Sequence, residues 1–330
     1  MKKVDWFSIL VAAVLLTFAV TTHAQQTGKV ARIGFLDPTN ASGMAVRVDA
    51  FRQELSKLGW IEGKNIAFEY RFAEQKPERV AELAAELVRL KVDLIVTTGV
   101  PPALEAKKAT TTIPIVITSV TDPVALGLVD SLARPGGNVT GLTTLATELN
   151  TKRLEILKDA VPKLARVGLL RSSSYNPGQE LQLEELRVAA SALKVKLEEI
   201  KTQFDAQGLE NAFKTAKQKQ VGAIMTTSIR VFFAERKPIV ALAGKYRLPA
   251  IYNGKDYVDE GGLMSYGPDN DDQYRKAAHY VDKILKGTKP ADLPVQQETK
   301  FEFVINLKAG KQIDLTIPPR VLERANQVIR

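Results

Sequence analysis

The sequence predicts an α/β protein with two doubly wound parallel-sheet lobes in series. Three short, largely apolar segments each recur about 130 residues later, a spacing of roughly one domain. The matched segments are Val30–Leu36 with Leu164–Leu170, Asp93–Thr98 with Gly222–Thr227, and Ile113–Val116 with Leu248–Ile251. Strand-like apolar runs alternate with helical periodicity in both copies, which is typical of parallel strands joined by right-handed crossovers. Two such lobes can close on a molecule that lies between them.

In the first lobe, the apolar runs predict four buried strands separated by amphipathic helices. The predicted strands are Arg32–Leu36, Ile66–Tyr70, Leu94–Thr98 and Ile113–Thr118. Two helices present apolar faces that step by three and four residues, namely Met44, Val48, Phe51, Leu55 and Leu58, then Val80, Leu83, Leu87 and Leu90. Gly59 is expected to end the first of these helices, and Pro101 to open a third one that runs to about Lys108.

The second lobe repeats this order of elements. Its predicted strands are Val167–Leu170, Lys196–Ile200, Ala223–Thr227 and Leu248–Tyr252, and its helices include Leu209–Lys219 and Phe233–Tyr246. Beyond Gly267 the repeat ends, and the remaining segment predicts a helix within Asp269–Lys286, a strand at Phe301–Asn306 and a last helix at Pro319–Ile329. A third segment after two lobes indicates that the chain crosses back, which gives several connecting strands and a defined hinge.

These patterns define the expected domain limits. Residues 30–141 with about 268–294 form the predicted N-terminal lobe, and residues 142–267 with about 295–330 form the C-terminal lobe. The join is Arg134–Gly141, which is rich in residues that break helices and strands.

The N-terminus is typical of a secretory signal peptide over residues 1–24. Lys2 and Lys3 precede the apolar run Phe7–Val20, and Thr22-His23-Ala24 places small residues at the two positions that signal peptidase reads, so cleavage is expected after Ala24. The alternative is a membrane anchor, but a span needs about 20 apolar residues. The sequence has no cysteine for lipid attachment. We therefore expect a periplasmic protein with no stable membrane anchor after signal cleavage.

Composition argues against several function classes. The net charge is +9, but the basic residues are interspersed with acidic ones, so no nucleic-acid partner is expected. The sequence has two histidines, His23 and His279, and no phosphate-binding glycine loop or metal-ligand spacing. We therefore predict that the protein is not an enzyme and needs no cofactor and no metal. A transcriptional repressor on the same fold is disfavoured, because a signal stands where its helix-turn-helix would be.

Three motifs carry a resemblance to a known family. They are Thr118–Val124, Arg134–Gly141 and Leu315–Pro319. With them the chain resembles the periplasmic substrate-binding proteins of ABC transporters, in the family that includes the tryptophan/tyrosine-binding proteins. The resemblance implies a type I periplasmic-binding-protein-like fold with a multi-strand hinge, capture of a small-molecule ligand between the lobes, and delivery to an ABC transporter permease and ATPase complex. A soluble periplasmic sensor module that presents its ligand to a membrane receptor is the alternative.

Ligands of open α/β sheets bind outside the carboxyl ends of the parallel strands, so the candidate site residues are those that follow the predicted strands. In the first lobe these are Asp37, Asn40, Ser42, Thr98, Gly99, Val100, Thr121 and Asp122. In the second they are Arg171, Ser173, Tyr175, Asn176, Thr227, Ser228, Tyr252, Asp256 and Tyr266. Other roles stay open: Asp37, Asp122 and Ser172 suit helix N-caps, Tyr266 suits the core, and Asp256 suits a surface turn.

The candidate residues indicate a ligand class. Arg171 could hold a carboxylate with two parallel hydrogen bonds, and Asp37, Asp122 or Asp256 could accept hydrogen bonds from an ammonium. Trp60, the only tryptophan beyond the signal, lies away from the strand ends and offers no platform for a sugar ring. An amino acid or an aromatic or organic acid is therefore favoured over a sugar, although Arg171 is equally expected as a surface residue.

Overall fold

The computed structural model describes residues 29–330, which form two mainly parallel sheets with helices on both faces of each. The first part of the described chain contains β1 (Ala31–Asp37), α1 (Ala41–Lys57), β2 (Ile66–Phe72), α2 (Arg79–Arg89), β3 (Leu94–Thr98), α3 (Val100–Ala109), β4 (Ile115–Thr121) and β5 (Val139–Thr144). The next part contains α4 (Ala146–Ala160), β6 (Arg166–Ser172), α5 (Pro177–Ala192), β7 (Lys196–Thr202), α6 (Ala206–Gln218), β8 (Ala223–Thr226), α7 (Arg230–Ala234), α8 (Arg236–Lys245), β9 (Ala250–Tyr252), α9 (Lys255–Asp259) and β10 (Met264–Pro268). The last part contains α10 (Asn270–Leu285), β11 (Gln296–Gln297), β12 (Phe301–Asn306), α11 (Leu307–Gln312), α12 (Pro319–Leu322) and β13 (Gln327–Ile329).

Five strands of each sheet follow the same order, which confirms the predicted fold class and explains the sequence repeat. The first sheet runs β11-β5-β4-β3-β1-β2, and the second runs β13-β12-β10-β9-β8-β6-β7. Strands β1 to β5 therefore lie in the same order as β6 to β10. Within both sheets of the described chain, only the pairing of β10 with β12 is antiparallel.

The chain passes between the lobes at three places in the described residues. It leaves the first sheet after β5, and α4 packs into a core of the second lobe. It returns after β10, because α10 packs against the core beside α1. It crosses again between β11 and β12, where the buried carboxylate of Glu298 accepts a hydrogen bond of 2.8 Å from Lys276 Nζ. These three chain crossings form the multi-strand hinge that the sequence predicts.

The predicted helix faces are buried against these sheets. In α1 the buried apolar side chains are Met44, Val48, Phe51 and Leu55, and in α2 they include Val80, Leu83 and Leu87. Trp60 packs beside the α1 core, and its indole Nε1 donates a hydrogen bond of 2.9 Å to Asp282. The apolar spacing therefore predicted the buried faces of α1 and α2 correctly.

Two predicted helices differ in the structure. The predicted helix Phe233–Tyr246 is two helices that divide at Glu235, because Pro238 is tolerated only in a first helical turn and so requires a new helix start. The predicted last helix Pro319–Ile329 is wrong beyond Leu322. Its final residues instead form β13, whose backbone pairs with the edge of β12.

The predicted signal peptide and its cleavage after Ala24 fall on residues that lie outside the described ones. In residues 29–330 no helix combines the length and the apolar character that crossing a bilayer requires.

Candidate functional site

Two adjoining cavities lie in the cleft where strand ends of the two lobes face each other. We call the first the apolar cavity; among its lining side chains are Val80, Val100, Tyr175, Phe204, Ile229 and Val231. We call the second the arginine cavity; among its lining side chains are Arg47, Arg153, Arg230, Phe233, Asn253 and Thr144. Ser119, Ser228, Ile229 and Arg230 line both, so the two cavities meet there. The cleft therefore pairs an apolar compartment with a cationic one.

Six of the residues that the sequence predicts for the site line these cavities: Gly99, Val100, Thr121, Tyr175, Asn176 and Ser228. Gly99 directly follows β3 and has a φ of 79°. A Cβ at this position would lie 3.0 Å from Cγ of Arg230. Glycine therefore permits both the backbone turn and the close approach of the arginine from the other lobe. Asn176 is the N-cap of α5, which places the helix start at the cavity wall.

Asp37 and Thr98 lie beneath the cleft rather than on its wall. The Asp37 carboxylate is fully buried and accepts hydrogen bonds from the Thr39 backbone and the Thr98 hydroxyl. Its Oδ2 is 3.7 Å from Nε of Arg230. Asp37 thus supports an arginine of the site. Asn40 caps α1 by accepting a hydrogen bond of 2.8 Å from the backbone N–H of Gly43, and the hydroxyl of Ser42 donates to the same Asn40 oxygen.

Arg171 is held by carboxylates of its own lobe. One guanidinium nitrogen contacts Glu180, and another lies 2.8 Å from Glu199. Burial raises the pKa of Glu199, but hydrogen bonds from Arg187 and Arg171 lower it more, so the net pKa is below the ordinary value. Arg171 is absent from the lining of both cavities. The structure therefore places this predicted ligand clamp in an ion-pair network that joins β6, β7 and α5.

Ser173 and Thr227 also lie outside the linings of the two cavities and form hydrogen bonds with other residues. Ser173 is exposed, and its backbone N–H donates to the carbonyl of Thr202. Thr227 is buried, and its hydroxyl donates a hydrogen bond of 3.2 Å to Gln179 Oε1. Both residues help to join β6, β7 and β8 at their carboxyl ends.

The remaining predicted residues lie behind or beside the cleft. Asp122 accepts from the backbone N–H of Ala125 in the loop after β4. Tyr252 is buried and stacks on Tyr257, with ring centroids 4.6 Å apart. Asp256 contacts Arg47 across the lobes at 3.0 Å. The Tyr266 ring packs against Phe301 and Phe303.

The sequence reasoning missed three buried arginines, and they dominate the electrostatics of the site. Arg47 and Arg153 are 2% exposed and Arg230 is 7% exposed. Cζ of Arg47 lies 3.4 Å from the centre of the Phe233 ring, and that of Arg230 lies 4.8 Å from it. A signal existed in the sequence, because Arg47 stands next to Val48 on the apolar face of α1, and Arg230 is flanked by apolar residues on both sides. A charge in such a place requires a partner.

Arg153 belongs to a hydrogen-bonded network that lies within the second lobe. Its Nη1 donates to Asn150 Oδ1 and, at 2.9 Å, to the Ser228 hydroxyl. Gln182 Oε1 accepts from Asn150 Nδ2 at 2.8 Å and from the Ser228 backbone at 2.7 Å. Burial lowers the pKa of Arg153 to about 9. The network therefore holds the guanidinium through partners that all lie within residues 150–266.

Ser119 contributes to the site through an irregularity of β4. The pairing of β4 with β5 shifts its register between Ile117 and Val120, and Ser119 adopts a φ of 54°. Such bulges redirect side chains and are frequent at functional sites. The Ser119 hydroxyl donates a hydrogen bond of 3.0 Å to Gln273 at the start of α10. This backbone geometry places Ser119 at the junction of the two cavities.

The chain is similar to known proteins over nearly its whole length. A tyrosine-binding protein of Clostridioides difficile is 26% identical over 95% of this chain and 93% of its own length. A conserved domain protein of Vibrio cholerae is 30% identical with a TM-score of 0.81, over 91% of this chain and 100% of that one. An ABC domain of Streptococcus pneumoniae in complex with L-Trp is 27% identical with a TM-score of 0.80, over 91% of this chain and 99% of that one.

The family model described as ABC transporter substrate binding protein matches residues 32–329, which is nearly the whole described chain. Proteins of this family bind small ligands outside the cytoplasm and work with ABC transporters, and they are not enzymes. The chain therefore belongs to the family of ABC transporter substrate-binding proteins.

Proposed function

We propose that this protein captures a small carboxylate-bearing solute, an amino acid or an aromatic or organic acid, between its lobes and delivers it to an ABC transporter permease and ATPase complex. The observation that carries the proposal is the junction of the apolar cavity with the arginine cavity. An apolar body and a carboxylate on one ligand match two such compartments. The tyrosine-binding relative and the relative in complex with L-Trp support a ligand of this size and character.

Contacts between the lobes support closure around the ligand. Arg47 contacts Asp256 at 3.0 Å, Arg230 lies 3.7 Å from Asp37, and Gln75 donates a hydrogen bond of 2.6 Å to Glu235. The proposed lobes are residues 30–141 with about 268–294 and residues 142–267 with about 295–330. A ligand that contacts both would stabilise the closed arrangement by its differential contacts.

The proposed signal peptide over residues 1–24 would direct the protein to the periplasm. Its removal after Ala24 would release a periplasmic protein that diffuses between the solute and the permease. Mass spectrometry of the protein purified from the periplasm tests this proposal, because the mature chain should begin at Gln25. A mature chain that retains residues 1–24 would contradict it.

Binding and closure are tested together by a thermal-shift screen over aromatic amino acids and aromatic acids, followed by small-angle scattering. A ligand at 100 times its dissociation constant adds about 2.7 kcal/mol to the free energy of unfolding. The same ligand should reduce the radius of gyration. A tightly bound solute without compaction would contradict closure. Delivery is tested by the ATPase activity of the reconstituted permease complex, which the loaded protein should stimulate; no stimulation would favour the sensor alternative.

A further inference from the structure

We propose that the ligand of this cleft is a monocarboxylate with an apolar body and no ammonium group, such as a 3-arylpropanoate, rather than an amino acid. The inference rests on the proposed function, because it concerns the molecule that the same cleft binds. It follows from the direct ionic partners of the arginines that line the arginine cavity.

Arg153 is a buried cation without an anionic partner among residues 29–330. Its Nε donates a hydrogen bond of 2.6 Å to the Tyr266 carbonyl, and Nη1 donates to Asn150 and Ser228. All three acceptors are neutral. Nη2 donates no hydrogen bond to any described residue, and Arg153 lines the arginine cavity. A guanidinium that is 2% exposed costs much free energy unless an anion accompanies it. A ligand carboxylate would be that anion.

The other two arginines of the cavity already have carboxylates beside them. Arg47 lies 3.0 Å from Asp256 and 3.8 Å from Asp271, and Arg230 lies 3.7 Å from Asp37. These three carboxylates all lie beside Arg47 or Arg230, and none of them forms an ion pair with Arg153. A ligand carboxylate in the cavity would give Arg153 the direct anionic partner that it lacks among residues 29–330.

An ammonium group would meet no carboxylate on the wall of either cavity. Within the described part of the chain, neither cavity has an aspartate or glutamate among its lining residues. The Asp37 carboxylate is 0% exposed and occupied by Thr39 and Thr98, and Asp256 is engaged by Arg47. The carboxylate of a zwitterionic ligand would pair with Arg153. Its ammonium group would then be a buried cation without a counter-ion in either cavity. Loss of the ammonium removes that penalty.

The apolar cavity provides for the rest of the ligand. Val100 contributes from the segment that follows β3 of the first sheet, and Tyr175, Phe204 and Val231 contribute from segments that follow strands of the second sheet. This cavity meets the arginine cavity at Ser119. A short chain between ring and carboxylate could therefore extend from one compartment to the other.

Matched ligand pairs test the inference on the wild-type protein, freed of carried-over ligand by unfolding in urea and refolding. Isothermal titration calorimetry compares 3-phenylpropanoate with L-phenylalanine, and indole-3-propanoate with L-tryptophan. We expect each acid to bind with a dissociation constant about tenfold or more below that of its amino acid. Phenethylamine, which keeps the ring and the ammonium, should not bind.

The outcomes separate this inference from the proposed function. An amino acid that binds as tightly as its deamino analogue, or more tightly, would overturn the inference and leave the proposed function standing. If neither the acids nor the amino acids bind, both are overturned.

A variant tests the role of Arg153 directly. Arg153→Gln should weaken binding of the preferred acid about a hundredfold, because truncating one partner of a buried charge pair leaves the other unpaired. It should weaken binding of the neutral amide of that acid much less, because the amide carries no charge that the substitution would leave unpaired. Arg134→Gln, at an exposed arginine of the lobe join, is the matched control and should bind both molecules as the wild type does. Unchanged acid affinity in Arg153→Gln would overturn the assignment of Arg153.

Discussion

Replacing Arg153 by methionine should leave the stability of the ligand-free protein nearly unchanged while it strongly weakens ligand binding. Arg153 is 2% exposed and lacks a carboxylate partner in residues 29–330, so its charge is unfavourable when no ligand accompanies it. Methionine fills a similar space with a flexible apolar chain and carries no charge. The change therefore removes an electrostatic penalty from the folded state.

The size of the effect follows from two opposing contributions. Lowering the Arg153 pKa from 12.5 to about 9 corresponds to roughly 5 kcal/mol against the charged form. Methionine also loses the hydrogen bonds to Tyr266, Asn150 and Ser228, each worth about 1.5 kcal/mol because the donor is charged. The two contributions nearly cancel, so we expect the free energy of unfolding of ligand-free Arg153→Met to lie within about 1 kcal/mol of the wild-type value.

Urea denaturation of ligand-free protein, followed by far-UV circular dichroism, measures this difference. The matched control is Arg230→Met, which should lose about 3 kcal/mol, because it leaves the buried carboxylate of Asp37 without its arginine. A loss of about 3 kcal/mol in Arg153→Met as well would refute the reasoning. It would show that Arg153 serves the fold in the way that Arg230 does.

Three further results are expected. Arg171→Gln should leave the dissociation constant for ligand within about twofold and reduce the free energy of unfolding by about 1 kcal/mol, because its partners are structural carboxylates. Glu199→Gln should be destabilising at neutral pH but progressively less so as the pH falls below 4.5, since the lowered Glu199 pKa gives a stabilisation that protonation removes. Gly141→Ala should cost about 3 kcal/mol or more, because φ is 131° and a Cβ would lie 2.3 Å from the Ile117 carbonyl oxygen.

Each of these three results has a comparison that could contradict it. For Arg171→Gln, a hundredfold weaker affinity in calorimetry would show that this arginine contacts the ligand. For Glu199→Gln, urea midpoints at pH 7 and pH 3.5 should differ from wild type by unequal amounts, and an equal difference would exclude the ion pairs as its cause. For Gly141→Ala, the control is Gly137→Ala, whose Cβ would meet no atom within 4 Å; equal urea midpoints for the two variants would refute the steric argument.

The sequence predicted the architecture well because strands and buried helix faces are encoded locally. The periodic positions Met44, Val48 and Phe51 are buried in the structure because one helix face must pack on the sheet. The repeat Val30–Leu36 with Leu164–Leu170 marked β1 and β6, which occupy equivalent places in the two sheets. The end of the chain was less predictable, because the apolar spacing of its last residues fits a helix and β13 depends on an edge offered by β12.

The site was predictable to the level of strand ends but not of individual charges. Gly99, Tyr175 and Ser228 line the cleft as their positions after buried strands suggested. Arg171 also follows this rule, yet the structure gives it Glu199 from the neighbouring strand β7 as a partner. Which side chains meet across strands and helices depends on packing between segments that are far apart in sequence.

By itself, the sequence determined two duplicated α/β lobes and the edges at which a ligand would be sought, because hydrophobic periodicity acts over a few residues. Only the tertiary structure decided which buried arginine of residues 29–330 has no carboxylate partner. Arg47, Arg171 and Arg230 are each brought beside carboxylates, whereas Arg153 is brought beside the Tyr266 carbonyl and neutral side chains. The charge that a buried group requires is set by its neighbours in space, and those neighbours come from distant parts of the chain.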